Sequence, residues 1–510
     1  VSASYSGGNI IFSLDQIDQV FDPNESEIES FKNESFRSNG AWLNGRAYDS
    51  EETLMADLRS VSSGIAKYGI INQKGFDRYR IKALKYDIAK AASQGPVKDN
   101  PSLFLILTYG LCVLGAAMYI LPKVKVEGPP GIKNNGIFNS VLKNRGWLGI
   151  LTGTFLIVFY IFLYYYPQYM TNWIITVDPV SLFLKNSPAG AFFLYGFIYT
   201  LCILVMGVRM AIKYRHSKYQ LVRTASVMFF QTAFAFLIPE ILVRLNKPYF
   251  DFKNIWPLDY DFFFDNELST LLDSGSLGVF MLGWGIALII IGVPIFVYFF
   301  GKRWYCSWVC GCGGLAETLG DPFRQLSDKS LKAWKVERWM VHGVLAFAII
   351  MTAGVLYTYF SQSSEILGIN TYSLREHYGA WIGAGFAGVI GTGFYPFMGN
   401  RVWCRFGCPL AAYLGLVQRF KSRFRITTNG GQCISCGNCS TYCEMGIDVR
   451  WYAQRGQNIV RSSCVGCGIC SSVCPRGVLN LENKAEKGRL NKPILIGNDS
   501  LVVNSQESAE

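Results

Sequence analysis

The sequence predicts a mainly α-helical, polytopic membrane protein, with a small soluble domain ahead of the membrane part and a compact cysteine-rich module behind it. Three observations predict this. Of the 510 residues 50% are hydrophobic and only 16% are charged, against roughly 25% charged in ordinary soluble domains. Seven apolar runs each approach the ~20 residues that cross a bilayer core of about 30 Å. Thirteen of the fifteen cysteines fall between Cys306 and Cys474, in tight motifs rather than scattered through loops.

Residues 1–100 contain no cysteine and mix 14 acidic with 12 basic residues, as a small folded domain would. The stretch GFDRYRIKALKYDIAKAASQ, from Gly75, sets Phe76, Tyr79, Ala83, Tyr86 and Ala89 at mostly helical spacing and predicts an amphipathic helix. Residues 101–400 carry the apolar runs, near 102–121, 147–167, 191–212, 224–243, 277–300, 339–361 and 380–398. The last is rich in Gly and Ala, which lets neighbouring helices approach closely. Arg209, Arg223, Glu240 and Arg244 sit at span ends, where snorkelling is the ordinary expectation. The module occupies 401–480, and the polar tail 481–510 is expected to be flexible.

Loop charge gives the orientation. Lys123, Lys125, Lys133, Lys143 and Arg145 follow the first span, Lys213, Arg215, Lys218 and Arg223 the third, and Lys302, Arg303, Arg324, Lys329, Lys332 and Lys335 the fifth. These loops are expected to be cytoplasmic. The loop from Leu245 to Ser276 is acidic, with Asp251, Asp259, Asp261, Asp265, Glu267 and Asp273, and is expected outside. Seven spans then put residues 1–100 outside and both cysteine-rich regions on the reducing side, where free thiols persist. The net charge of +12 belongs to these loops, so no nucleic acid is expected as a partner. The setting implied is the inner membrane of a bacterial cell, crossed many times.

Two runs have the spacing of iron–sulfur ligands: Cys433, Cys436, Cys439 and Cys443 in CISCGNCSTYCEMG, and Cys464, Cys467, Cys470 and Cys474 in CVGCGICSSVCPRG. In such runs three thiolates wrap one corner of a cluster and the fourth ligates the other cluster. Two 4Fe-4S clusters are therefore expected, one on Cys433, Cys436, Cys439 and Cys474, the other on Cys443, Cys464, Cys467 and Cys470. Zinc favours two separated C-x2-C pairs, whereas a triplet plus one occurs twice here. Pro475 follows the second run, and Glu444 takes the corresponding place in the first.

Two further pairs sit at span ends. GKRWYCSWVCGCGG holds Cys306, Cys310 and Cys312; RVWCRFGCPLAAYLG holds Cys404 and Cys408. Each is a C-x3-C pair preceded by Arg and Trp, and positions four apart share a helix face. Together they read as one redox or metal site at the inner membrane edge: a third cluster, a dithiol, or soft ligands for copper. The alternative is buried packing thiols, the expected role of Cys112 and Cys202. Only three histidines occur, His216, His342 and His377, and only His342 lies in a span, so a bis-histidine haem is not expected.

These residues resemble the membrane polyferredoxins of the NosR/NapH type, with the copper-trafficking CcoG proteins as relatives. The likeness rests on RWYCSWVC and RVWCRFGCP followed by the two cluster runs, over about residues 280 to 480. For NosR-like members it implies an outer flavin domain with FMN on a threonine. SSGIAKYG, from Ser62, is the nearest text and lacks that threonine. Gly311 and Cys312 also replace the proline usual after the first pair.

The function expected is electron transfer by an oxidoreductase-type component. Electrons would pass between a cytoplasmic partner of flavodoxin or ferredoxin type and either the quinone pool or an extracytoplasmic redox partner, within a multisubunit complex. Arg419, Lys421, Arg423, Arg425, Arg450, Arg455 and Arg461 would steer an acidic partner or hold anionic lipid. Two other readings stand beside it: a copper-handling assembly factor for an exported metalloenzyme, and a non-catalytic subunit of a respiratory complex.

Overall fold

The computed structural model describes residues 2–6, 9–13, 38–43, 45–71, 86, 90, 93–126, 130–131, 146–361, 363, 365–366, 368–484, 495–496 and 501–502. Apart from isolated residues, the amphipathic helix expected from Gly75 lies outside these, as do Lys133, Lys143, Arg145 and most of the tail. Near the N-terminus Ser2–Ser6, Asn9–Ser13 and Ala47–Tyr48 form an antiparallel sheet, followed by the helix Glu51–Ile71.

Helices dominate because a helix satisfies every backbone polar group within itself, which an apolar surrounding demands. Among the described residues five are long and apolar enough to cross a membrane: Pro101–Val126, Ala191–Lys213, Lys218–Arg244, Gly275–Phe300 and Leu331–Ser361. A sixth is reached if Gly149–Tyr165 and Pro167–Thr176, bent by 114° at Tyr166, count as one span. Ile106, Met118, Ile290 and Phe360 point large apolar side chains outward from them.

The run at 380–398, expected as a seventh span, is not among these. It is broken into shorter pieces, a π-helix, Tyr378–Ile390, followed by Gly391–Gly393 and Tyr395–Met398, with six glycines from Gly379 to Gly393. The glycines bring it hard against Trp147–Tyr165. A Cβ on Gly388 would stand 2.5 Å from Tyr164 and 2.9 Å from Tyr160, and one on Gly393 2.6 Å from Ile157.

The C-terminal module is closed by antiparallel strands Phe424–Thr428 and Leu479–Asn483, with Phe424 opposite Asn483. Between them lie two near-repeats. Each enters a short helix, Asn438–Thr441 or Ile469–Ser472, through a glycine in the left-handed region, Gly437 at φ 81° and Gly468 at φ 73°. Other residues adopt that conformation only at a cost.

The module sits on one end of the helical bundle. Tyr219 donates to the Gly466 carbonyl (3.1 Å), Gln220 to that of Cys467 (2.8 Å) and Ser307 to that of Val465 (2.8 Å). Met210 and Tyr214, at the end of Ala191–Lys213, are buried with Tyr442, Ile469 and Val473.

Candidate functional site

Inside the module the chain leaves two hollows, each walled by four cysteines. The first, about 350 Å³ with its open mouth included, is lined by Cys433, Cys436, Cys439 and Cys474, with Arg450, Pro475 and Arg476. The second, about 360 Å³, is lined by Cys443, Cys464, Cys467 and Cys470, with Glu444, Met445 and Val465. The fold thus carries the last cysteine of each run across to the other run's three. Cys436 is exposed whereas Cys464 and Cys470 are buried, and the loop of the second set, at Gly466 and Cys467, accepts hydrogen bonds from Tyr219 and Gln220 of the bundle.

Burial pushes the thiols of Cys439 and Cys467 up to about 12 and that of Cys464 up to about 11. Bare thiolates are costly in such surroundings, and the charge of bound metal is what ionises a coordinating thiol. Among the described residues no three of these sulfurs lie within 4.8 Å of one another. A single tetrahedral ion with metal–sulfur bonds of about 2.3 Å would draw its thiolates to ~3.8 Å apart. The donor sets fit a multi-atom cluster and not one bare ion.

The two C-x3-C pairs also meet. Cys306, Cys310, Cys404 and Cys408 are all buried in one core with Trp403, Val293 and Val297, and that core is continuous with Cys439, Cys464 and Cys470. Neither pair lies along one helix face as the spacing suggested. Cys306 ends the short helix Arg303–Cys306 while Cys310 caps the start of Gly311–Thr318. Cys404 sits in the π-turn Trp403–Gly407, and Cys408 caps Pro409–Phe420, its sulfur accepting from Ala411 N at 3.4 Å. Cys312, two residues beyond Cys310, is half-buried and packs against the same core. Cys202 is half-buried and packs in the bundle, whereas Cys112 is exposed on Pro101–Val126.

Between the thiols and the module lies a lattice of buried charges. Arg401 reaches the Cys306 carbonyl (3.3 Å) and the Cys404 sulfur (3.6 Å) with Nη1, and Glu317 (2.5 Å) and Glu444 (3.0 Å) with Nη2. Glu444, fully buried, also binds Arg324 at 2.7 Å and Asn400 at 3.2 Å. Arg223 pairs with Glu317. Asp321 is ringed by Lys213, Arg209 and Arg324 at 2.6, 3.0 and 3.2 Å. Burial alone would raise Glu444, but Arg324, Arg401 and Arg223 outweigh it and hold its carboxyl at about 2. Oxygens of Glu317 and Glu444 and the sulfur of Cys467 lie within 4.8 Å of one another.

Arg209 and Arg223 therefore do not snorkel; they are buried and paired. The lattice was hidden in the sequence because its members come from five separated segments. The one available signal was Glu444, an acid where the second run has Pro475. The basic patch is also rearranged: Arg425 is buried, Arg423 and Arg461 lie over Phe299 and Trp334, and only Arg450 and Arg476 line the first hollow.

Comparison with known proteins supplies a family description for both regions. A 4Fe-4S binding domain matches residues 283–330 and 380–427, one C-x3-C pair in each, and a 4Fe-4S dicluster domain matches 432–479. The chain is similar to the putative electron transport protein YccM of Escherichia coli (strain K12), 28% identical over 172 residues, which is 32% of this chain and 47% of that one. The methylamine utilization ferredoxin-type protein MauN of Paracoccus denitrificans (strain Pd 1222) is 28% identical over 172 residues, 32% of this chain and 56% of its own. Protein NirI of the same organism is 26% identical over 184 residues, 35% of this chain and 26% of its own. The chain spans about half the length of the first two. No solved structure matches. The likeness to NosR/NapH-type polyferredoxins agrees with these relatives, and iron–sulfur clusters are the cofactors the matched domains bind.

Proposed function

We propose that this chain is a membrane-bound electron-transfer protein whose C-terminal module holds two 4Fe-4S clusters, on Cys433, Cys436, Cys439 and Cys474 and on Cys443, Cys464, Cys467 and Cys470. The observation that carries the reading is the pair of hollows, each walled by three cysteines of one run and the fourth of the other. Each cluster, when bound, supplies a one-electron redox couple. The chain's own part is positional. It keeps the first set at the surface, where Arg450 and Arg476 suit an acidic flavodoxin- or ferredoxin-type partner. It keeps the second set against the bundle, where Glu444 and Arg324 lie close to Cys467.

On this reading the module faces the cytoplasm of a bacterial cell and, with the broken helices of 378–398 bringing the chain back as a seventh crossing, residues 1–100 face outward toward the quinone pool or a redox partner in a larger complex. The basic loops at Lys213–Lys218 and Lys329–Lys335, both at the module's end of the bundle, support that orientation.

The test is Cys474→Ala in anaerobically purified protein, followed by EPR after dithionite. The expected result is loss or conversion of the cluster held by Cys433, Cys436 and Cys439. Loss confined to the cluster of Cys464, Cys467 and Cys470 would refute the cross-ligation.

A further inference from the structure

Where the edge of the module meets the bundle the chain leaves a third hollow, of about 240 Å³ with its open mouth included. Its walls are of two kinds. Phe424, Ile426 and Ile459 are apolar, while Arg419, Arg425 and Arg461 bring three guanidinium groups that stay charged at any physiological pH. None of the described residues lining it is acidic. Glu482 stands opposite Arg425 in the closing ladder, which leaves Arg419 and Arg461 to be accounted for. The Nε of Arg461 is buried and has no hydrogen-bond partner among the described residues. Its guanidinium lies over the Trp334 ring at 4.3 Å, with Arg338 over the same ring at 5.5 Å, and Arg338 and Arg419 both act electrostatically on His342. A buried guanidinium N–H left unpaired is costly, and an anion oxygen removes that cost.

The hollow lies level with the ends of two spans. Arg423 N, just before strand Phe424–Thr428, donates to the Tyr298 carbonyl at 2.7 Å, in the last turn of Gly275–Phe300. Trp334 is in the first turn of Leu331–Ser361. Phe300, Trp339 and Phe420, on the segments that meet here, are exposed. Aromatic rings favour the boundary between membrane and water, and basic pockets between spans at that level suit anionic headgroups. The inner wall belongs to the module. Cys464 lines the hollow, and Gln418 donates to its carbonyl at 2.9 Å while accepting from Lys302 N at 2.6 Å.

We propose that this hollow binds the phosphate of an anionic phospholipid, fastening the module's inner edge to the membrane surface beside Cys464. Arg419 and Arg461 take the phosphate oxygens, for which the planar guanidinium fork is suited. A hollow smaller than the roughly 300 Å³ of ordinary small-molecule pockets takes a headgroup and not a whole lipid, so the acyl chains lie outside, along the exposed aromatic surface. The level of the span ends favours a lipid over an acidic protein here; Arg450 and Arg476, at the first hollow, remain for the protein partner.

The test is native mass spectrometry of the full-length protein in mild detergent, with phosphatidylglycerol or phosphatidylcholine added at equal concentration and with inorganic phosphate or polyglutamate as competitor. One phosphatidylglycerol is expected to be retained well beyond phosphatidylcholine, and neither competitor should displace it at the lipid's own concentration. Arg419→Gln with Arg461→Gln should weaken that binding about thirtyfold, as the loss of two basic contacts to an anionic lipid implies, at an unchanged iron content that shows the module intact. Arg419→Gln alone, at an exposed position, should weaken it severalfold and decides the matter if the double variant does not fold. Lys332→Gln with Lys335→Gln, exposed charges on the same end of Leu331–Ser361, should leave it unchanged. Equal retention of the two lipids, displacement by inorganic phosphate or polyglutamate, full binding in Arg419→Gln, or an equal loss in the lysine variant would overturn the proposal. Lipid retention is read without reduction or turnover, so this site and the electron-transfer reading fail separately.

Discussion

Replacing Glu444 by Gln removes one buried negative charge without changing the shape of the side chain. An oxygen of Glu444 lies within 4.8 Å of the Cys467 sulfur. At that distance and an effective dielectric of about 20, a unit charge acts with ~3.5 kcal/mol. A tenfold change in a one-electron equilibrium is 59 mV and about 1.36 kcal/mol, so the upper figure is ~150 mV. Charge spread over a whole cluster lies farther away on average, which brings the expected shift to about 50–100 mV. The sign is upward, because reduction adds negative charge and Glu444 opposes it; Arg324 and Arg401, each with one carboxylate partner fewer, push the same way. An EPR-monitored redox titration of both module clusters measures it. The cluster of Cys443, Cys464, Cys467 and Cys470 should move, and that of Cys433, Cys436, Cys439 and Cys474 much less. A shift below ~20 mV, a downward shift, or an equal shift in both would refute the reasoning.

Arg401→Met should destabilise the module's seat on the bundle by about 3–5 kcal/mol, since Glu317 and Glu444 would be left as buried charges with fewer partners; thermal unfolding in detergent would show it, and an unchanged midpoint would contradict it. Gly388→Leu should abolish well-folded protein, because its side chain would meet Tyr164 and Tyr160 at a contact already closed to a Cβ; normal monodisperse yield would refute the packing. Iron chelation under mild oxidation should open residues 424–483 to protease before the bundle, since the burial that raises Cys439 and Cys467 leaves them poorly compensated without metal; simultaneous loss of both parts would count against this.

Local chemistry was legible from the chain because it depends on short spacings. The C-x2-C-x2-C-x3-C spacing points to iron–sulfur chemistry, in agreement with the matched 4Fe-4S dicluster domain, and the two hollows are lined by the same eight cysteines. Apolar length marked five helices that could span, and a sixth if the bent pair Gly149–Tyr165 and Pro167–Thr176 is one span; at 380–398 the chain is broken into shorter helices packed through glycine. Only the tertiary structure could reveal Arg401 as the tie between Cys404 and Glu444. The bonds of Glu444 to Asn400 and Arg324 and of Arg401 to Glu317 join residues 44 to 120 positions apart, and no local period carries that information.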